Sequence, residues 1–254
     1  MAFDLDNEPM RENLSRRDLI FAAGFGWLWP PNWFRRRVRL AEASFEEIRR
    51  GDDRRRYIWI HGNERTARAV LRDHMRRYDG RAFLIDNDVR NVRLNGGELD
   101  PNRMFSRPGA ERNLRALNPA WDNSQIESAL DQLDSGRQKF LQRILPKQPG
   151  ALIVALHNNG PGYSVNDELA ISDEVALNDR QHPDEFMLCT MRQDYEKLAK
   201  GPYNVLLQSK TPPDDDGSLS RLCAARGIRY VNIEAALGAT AAQSTMLTWL
   251  EATL

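Results

Sequence analysis

Few residues in this sequence have the type and spacing to do chemistry. Only four histidines stand among 254 residues, His61, His74, His157 and His182, so an imidazole-based metal site has few candidates. Directly after a short apolar run at residues 57–60 come His61-Gly62-Asn63-Glu64. A histidine and a carboxylate three residues apart, where a strand gives way to a helix, can reach one metal ion. The same residues also read as an ordinary helix start, with Asn63 as cap and Glu64 facing the dipole. A second piece is Asp100-Pro101-Asn102-Arg103-Met104-Phe105, which alone reads as a turn with a surface arginine. The third is His157, placed at the end of the apolar run 151–156 and followed by Asn158-Asn159. Glu234 ends a predicted strand at 229–233, where it also reads as a helix-initiating acid. His74 and His182 fall outside these segments and are assigned structural places.

The elements that must position these residues are legible as periodicities. Ala67, Val70, Leu71 and Met75 share one face of a helix predicted over 64–78. Strands are predicted at 57–60 and 82–85, and at 151–156, where Ala-Leu-Ile-Val-Ala-Leu suits a strand buried on both faces. Ile126, Leu130, Leu133, Phe140, Leu141 and Ile144 mark a long helix over 124–145, with Gly136 as a candidate break. Strands at 186–189, 203–208 and 229–233 alternate with helices at 193–199, 218–225 and 241–253. This alternation predicts an α/β fold with a central mixed, largely parallel sheet and helices on both faces. In such sheets functional residues collect just past the carboxyl ends of strands. There is no internal repeat, and the loop of most biased composition is 211–217.

Taken together and in this order, the three pieces resemble the zinc carboxypeptidase superfamily, in particular its succinylglutamate desuccinylase and aspartoacylase branch. That branch carries His-Gly-Asn-Glu, then Asp-Leu-Asn-Arg-x-Phe, then a strand ending in Leu-His-Asn. Here Pro101 replaces the leucine, and the Gly96-Gly97 segment before it is slightly longer. The resemblance spans roughly residues 61–234 and is strong at the motifs and faint between them. It implies that His61, Glu64 and His157 hold Zn2+ and leave a position open for water, as suits a catalytic site. It implies that Asp100 hydrogen-bonds the first ligand histidine, that Asn102 and Arg103 hold a substrate carboxylate, and that Glu234 is the general base. Oxyanion stabilisation falls to Arg93 by position, with Arg90 as second choice. The implied activity is hydrolysis of an amide bond next to a carboxylate, on a peptide or a small acyl amino acid. A carboxypeptidase and an N-acyl amino acid deacylase are not separable by motif, and a non-catalytic peptide- or carboxylate-binding domain on the same fold is the rival reading. No Gly-x-Ser-x-Gly elbow or phosphate loop supports a metal-free hydrolase or phosphatase.

Composition sets the remaining bounds. With 36 basic and 36 acidic side chains the formal charge is zero, which offers no footprint for nucleic acid. Cys189 and Cys223 are too few for a disulfide framework and lack the spacing of a thiolate zinc site, leaving a pair or two buried thiols. Residues 1–43 resemble a twin-arginine export signal, with Ser15-Arg16-Arg17, an apolar stretch over 19–29 and a small-x-small site at Ala41-Glu42-Ala43. The alternative is an N-terminal arm that packs Trp27, Trp29 and Trp33 on the domain. An export signal implies a hydrolase domain from Ser44 to Leu254, a periplasmic location, and contact with a membrane only through an uncleaved signal; otherwise the protein is cytoplasmic.

Overall fold

The computed structural model describes residues 36–210 and 214–254, so the export-signal motif and Trp27, Trp29 and Trp33 lie outside the described residues. In chain order the strands are β1 (Arg36–Leu40), β2 (Ala43–Arg50), β3 (Arg55–Trp59), β4 (Gly80–Ile85), β5 (Val92–Leu94), β6 (Gly97–Leu99), β7 (Leu152–Asn159), β8 (Glu174–Ala176), β9 (Phe186–Cys189), β10 (Asn204–Leu207) and β11 (Arg229–Ala236). The helices are α1 (Arg65–His74), α2 (Arg107–Leu117), α3 (Asn123–Ile144), α4 (Val165–Glu168), α5 (Arg192–Leu198), α6 (Leu219–Ala225) and α7 (Thr240–Thr253). β5 and β6 form a separate hairpin, and the other strands form one sheet in the order β1-β2-β4-β3-β7-β11-β9-β10-β8. β4, β3, β7 and β11 run parallel, while β1, β2, β8 and the β9–β11 junction introduce antiparallel pairs. The fold is α/β with a mixed sheet and helices on both faces.

β7 explains why the core sits where it does. All eight of its residues are buried, so both faces must be covered, and its apolar run can satisfy this only at the centre of the sheet. α1 and α7 pack together and against β7 and β11, while α3 packs on β1 and α6 on β11. α3 runs unbroken through Gly136, where a Cβ would come within 3.3 Å of Leu40 Cδ1; the glycine brings helix and strand together instead of stopping the helix. Its start is fixed by a capping box between Asp122 and Gln125.

The sheet begins before the expected boundary at Ser44. β1 pairs with β2 across a turn at Ala41, and Val38, Leu40, Ala43 and Phe45 are buried. Periodicity missed this hairpin because charged residues alternate with its apolar ones, and one of the inward positions is Glu47, paired with Arg81 and Arg143. Cys189 and Cys223 are free and buried, and burial pushes both thiols up. Among the described residues no helix is long and apolar enough to cross a membrane.

Candidate metal centre

β3, β7 and β11 are adjacent and parallel, so their carboxyl ends open on one side of the sheet. His61 follows β3, His157 lies in the last half of β7, and Glu234 in β11 stands directly opposite His157 in the β7–β11 register. Glu64 is the N-cap residue of α1, yet its side chain makes no capping bond and is left to turn toward the histidines. The helix start is held by others. Trp59 Nε1 donates to the Glu64 carbonyl at 2.8 Å, and Asn158 Oδ1 accepts from the Ala67 amide at 2.8 Å. Asn158 also donates to the Ala235 carbonyl, and Gln243 of α7 donates to the His157 carbonyl at 2.7 Å, so α1, β7, β11 and α7 are bound into one frame. Gly62 is required by close approach, since a Cβ there would lie 2.5 Å from the Asn87 carbonyl oxygen.

The structure brings His61, Glu64 and His157 together, with one candidate ligand atom from each lying within 4.8 Å of the others. Glu64 Oε1 is 2.7 Å from His61 Nδ1, and Oε2 is 3.0 Å from His157 Nδ1. His61 Nε2 points the other way, 2.8 Å from Asp100 Oδ1. All four side chains are buried. Burial opposes the Glu64 charge, but the two histidines outweigh it and hold the carboxyl down at about 2. For His157 burial disfavours the cation, and the charge and hydrogen bond of Glu64 reverse this, lifting the ring to about 9. Asp100 is held well below its ordinary range: burial opposes its charge, but His61, Arg90 and the Asn102 amide prevail. Glu234 is different. Burial dominates and pushes its carboxyl up, with His157 pulling against it and Asn232 Nδ2 donating at 2.9 Å.

Around this cluster lies a cleft of about 410 Å3. Asn102 and Arg103 both line it, but neither side chain is idle: Asn102 Oδ1 accepts from the Leu219 amide, and Arg103 Nη1 donates to Asp216 Oδ2 at 2.8 Å. The loop that brings Asp216 in depends on Gly217, at φ +77° and packed so closely that a Cβ would meet the Arg103 carbonyl oxygen at 2.4 Å. Arg93, the first choice for oxyanion stabilisation, is not among the residues lining the cleft. It sits at the outward position of β5 and donates to the Gly96 carbonyl on the exposed hairpin, away from the cleft. Arg90, one loop earlier, lines the cleft and donates to Glu64 Oε1 at 3.3 Å and Asp100 Oδ2 at 3.2 Å.

Sequence reasoning passed over Arg221. It is 9% exposed, lines the cleft, and has a buried Nη1 without any partner. No carboxylate among the described residues pairs with its guanidinium. Spacing carried no signal for it: Leu219 and Cys223 lie four apart on one face of α6, and Arg221 falls between them on another, where an arginine is ordinarily solvated; its burial is a finding of the structure. His74 lies away from the cleft, buried 3.1 Å from Tyr57 Oη and stacked on Tyr78, and His182 is exposed beside Asp184.

No protein-family model matches the chain, and no curated protein matches it either. Several solved structures resemble it, two of them as follows. One is the apo form of the ectoine utilization protein EutE (DoeB) from Ruegeria pomeroyi, at 14% identity and a TM-score of 0.42, covering 82% of this chain. The chain spans 59% of that protein's length. The other is a candidate metallopeptidase from Shewanella baltica OS155, at 12% identity and a TM-score of 0.42, covering 86% of each chain.

Proposed function

We propose that this chain is a zinc-dependent hydrolase that cleaves an amide bond next to a carboxylate, of carboxypeptidase or N-acyl amino acid deacylase type. The observation that carries the reading is the convergence of His61, Glu64 and His157 in a cleft where Glu234 lies beside His157 and Arg221 lacks a partner. Two imidazoles and a carboxylate make a donor set suited to catalytic zinc. When bound, zinc supplies a Lewis acid that polarises a carbonyl and acidifies a water molecule.

The protein's own groups have separable tasks. With zinc bound, Asp100 would accept from His61 Nε2–H and so keep the proton on that nitrogen, leaving Nδ1, on the Glu64 side of the ring, to hold the ion. Glu234, its carboxyl raised by burial, takes a proton from the attacking water and returns it to the departing amine. Arg90 bridges Glu64 and Asp100 at the cleft wall, where its guanidinium faces charge developing on the carbonyl oxygen. The substrate carboxylate is received by Asn102 and Arg103, the pair implied by the motif, together with Arg221, whose charge is not already spoken for.

The test is metal analysis joined to turnover. The purified protein should hold zinc stoichiometrically, and His157→Ala should lose it. Glu234→Gln should keep zinc while turnover of acyl amino acids or peptides falls by about two to four orders of magnitude, the usual contribution of a positioned base. Zinc bound without hydrolysis of either substrate class would hand the lead to a carboxylate-binding domain; a parent protein without zinc would end the reading.

A further inference from the structure

The cleft has a second wall that hydrolysis does not use. Glu168, the last residue of α4, lines it with its carboxylate fixed at both oxygens: Tyr163 Oη donates to Oε1 at 2.6 Å and Gln208 Nε2 donates to Oε2 at 2.6 Å. Both donors are neutral. Of the other acids lining the cleft, Glu64 is paired with Arg90 and Asp216 with Arg103, and Glu234 stands opposite His157 as the proposed base, whereas no arginine, lysine or histidine among the described residues pairs with Glu168. A partly buried carboxylate held by neutral donors keeps its charge uncompensated, and a cation delivered to it gains more than it would in water.

Two acceptors in the same cleft also lack donors. Asn159 is 7% exposed, with Nδ2 donating to the Asp184 carbonyl and Oδ1 buried without a partner. Asn232 Oδ1 is likewise buried and unpartnered, its Nδ2 being taken by Glu234. Asn159 lies on the same face of β7 as His157, two residues on, and Asn232 on the same face of β11 as Glu234, two residues back. Beside the proposed base Glu234, the cleft thus holds an unanswered cation, Arg221, an unanswered anion, Glu168, and two unanswered acceptors.

The geometry points to a substrate that carries a cationic amine as well as a carboxylate, with Glu168, held by Tyr163 and Gln208, receiving the amine. This rests on the hydrolase reading and deepens it from any acyl amino acid or peptide to a zwitterionic one. Glu168 contacts the substrate away from the scissile bond and sets specificity, while Tyr163 and Gln208 act through it as positioning residues.

Binding without a scissile bond tests the subsite separately from the chemistry. The zinc-loaded full chain is titrated calorimetrically with 4-aminobutyrate, 5-aminopentanoate and 6-aminohexanoate, each against the simple acid of equal length, butyrate, pentanoate or hexanoate. At least one amino acid should bind about tenfold to a hundredfold more tightly than its partner, the range of a charge-assisted hydrogen bond in a desolvated site. Glu168→Gln should bring that ratio close to one with zinc content unchanged, and Tyr163→Phe should reduce it partway. Equal binding within all three pairs, or a preference that survives Glu168→Gln, overturns the proposal. Hydrolysis measured on the same preparations keeps the two readings apart. An amine preference without turnover removes the hydrolase and leaves the subsite, and turnover without a preference does the reverse.

Discussion

Arg221 carries a charge that no group in the described protein answers, and this has opposite consequences for stability and for binding. A buried donor without a partner costs roughly 1–3 kcal/mol, so Arg221→Met should leave the melting temperature unchanged or raise it by a few degrees. The same change should lower kcat/KM for carboxylate-bearing substrates by about tenfold to a hundredfold, mainly through KM, because a charge-assisted contact is lost. Steady-state kinetics beside a thermal melt would check both. A lower melting temperature with an unchanged KM would assign Arg221 to the core instead. At this scale the three candidate ligands were legible because His61 and Glu64 flank a strand-to-helix junction and His157 ends the most apolar run, so pattern and place coincide. The arginines were not. Whether Arg90 or Arg93 reaches the cleft is decided by the alternation of β5, which turns Arg93 outward, and no spacing rule registers that hairpin.

Among the elements, α7 has the closest ties to the site without touching the cleft. Its Gln243 holds the His157 carbonyl, and near its other end Glu251 Oε1 accepts from Tyr57 Oη at 2.7 Å and lies 3.4 Å from His74 Nε2. Arg55 donates to the second oxygen at 3.2 Å. Burial opposes the Glu251 charge, but His74, Tyr57 and Arg55 prevail and hold the carboxyl below its ordinary value. A depressed folded-state value means that this contribution is present above the unfolded carboxyl pKa of about 4.3 and is lost as pH falls through the lower folded value. Glu251→Gln should therefore destabilise by about 1–3 kcal/mol near neutrality, and the gap from the parent should close on acidification below the usual carboxylate range. Denaturant melts across pH would show it; a gap independent of pH would point to packing instead of charge. The long helices and central strands were legible from their apolar spacing, most ends to within a residue or two, although α1 stops four residues before its predicted end and β7 and β11 run three residues past theirs. β1, β2 and α2 were not: β2 buries Glu47 and α2 buries Gly109, and neither residue type signals an inward face.

On the scale of the whole molecule, the edge of the sheet bears on where the domain begins. Val38 and Leu40 are buried in β1, and fully burying such side chains stabilises by about 1.5–3 kcal/mol each, as an upper estimate. A protein starting at Ser44 should then melt at least about 5 °C below one starting at Arg36, given a few degrees per kcal/mol at this size. Equal melting temperatures would show the edge strand to be dispensable and restore Ser44 as the working boundary. The order of the strands has a further effect. β11 is the last strand in chain order, yet it lies in the middle of the sheet, between β7 and β9. β7 and β9 are therefore joined only through the segment that carries Glu234. A nascent chain halted before Arg229 would already contain His61, Glu64 and His157 but would have two half-sheets with open inner edges, exposed to chaperones and proteases. β11 both supplies Glu234 and joins β7 to β9, so the candidate base and the closure of the sheet arrive with the same segment.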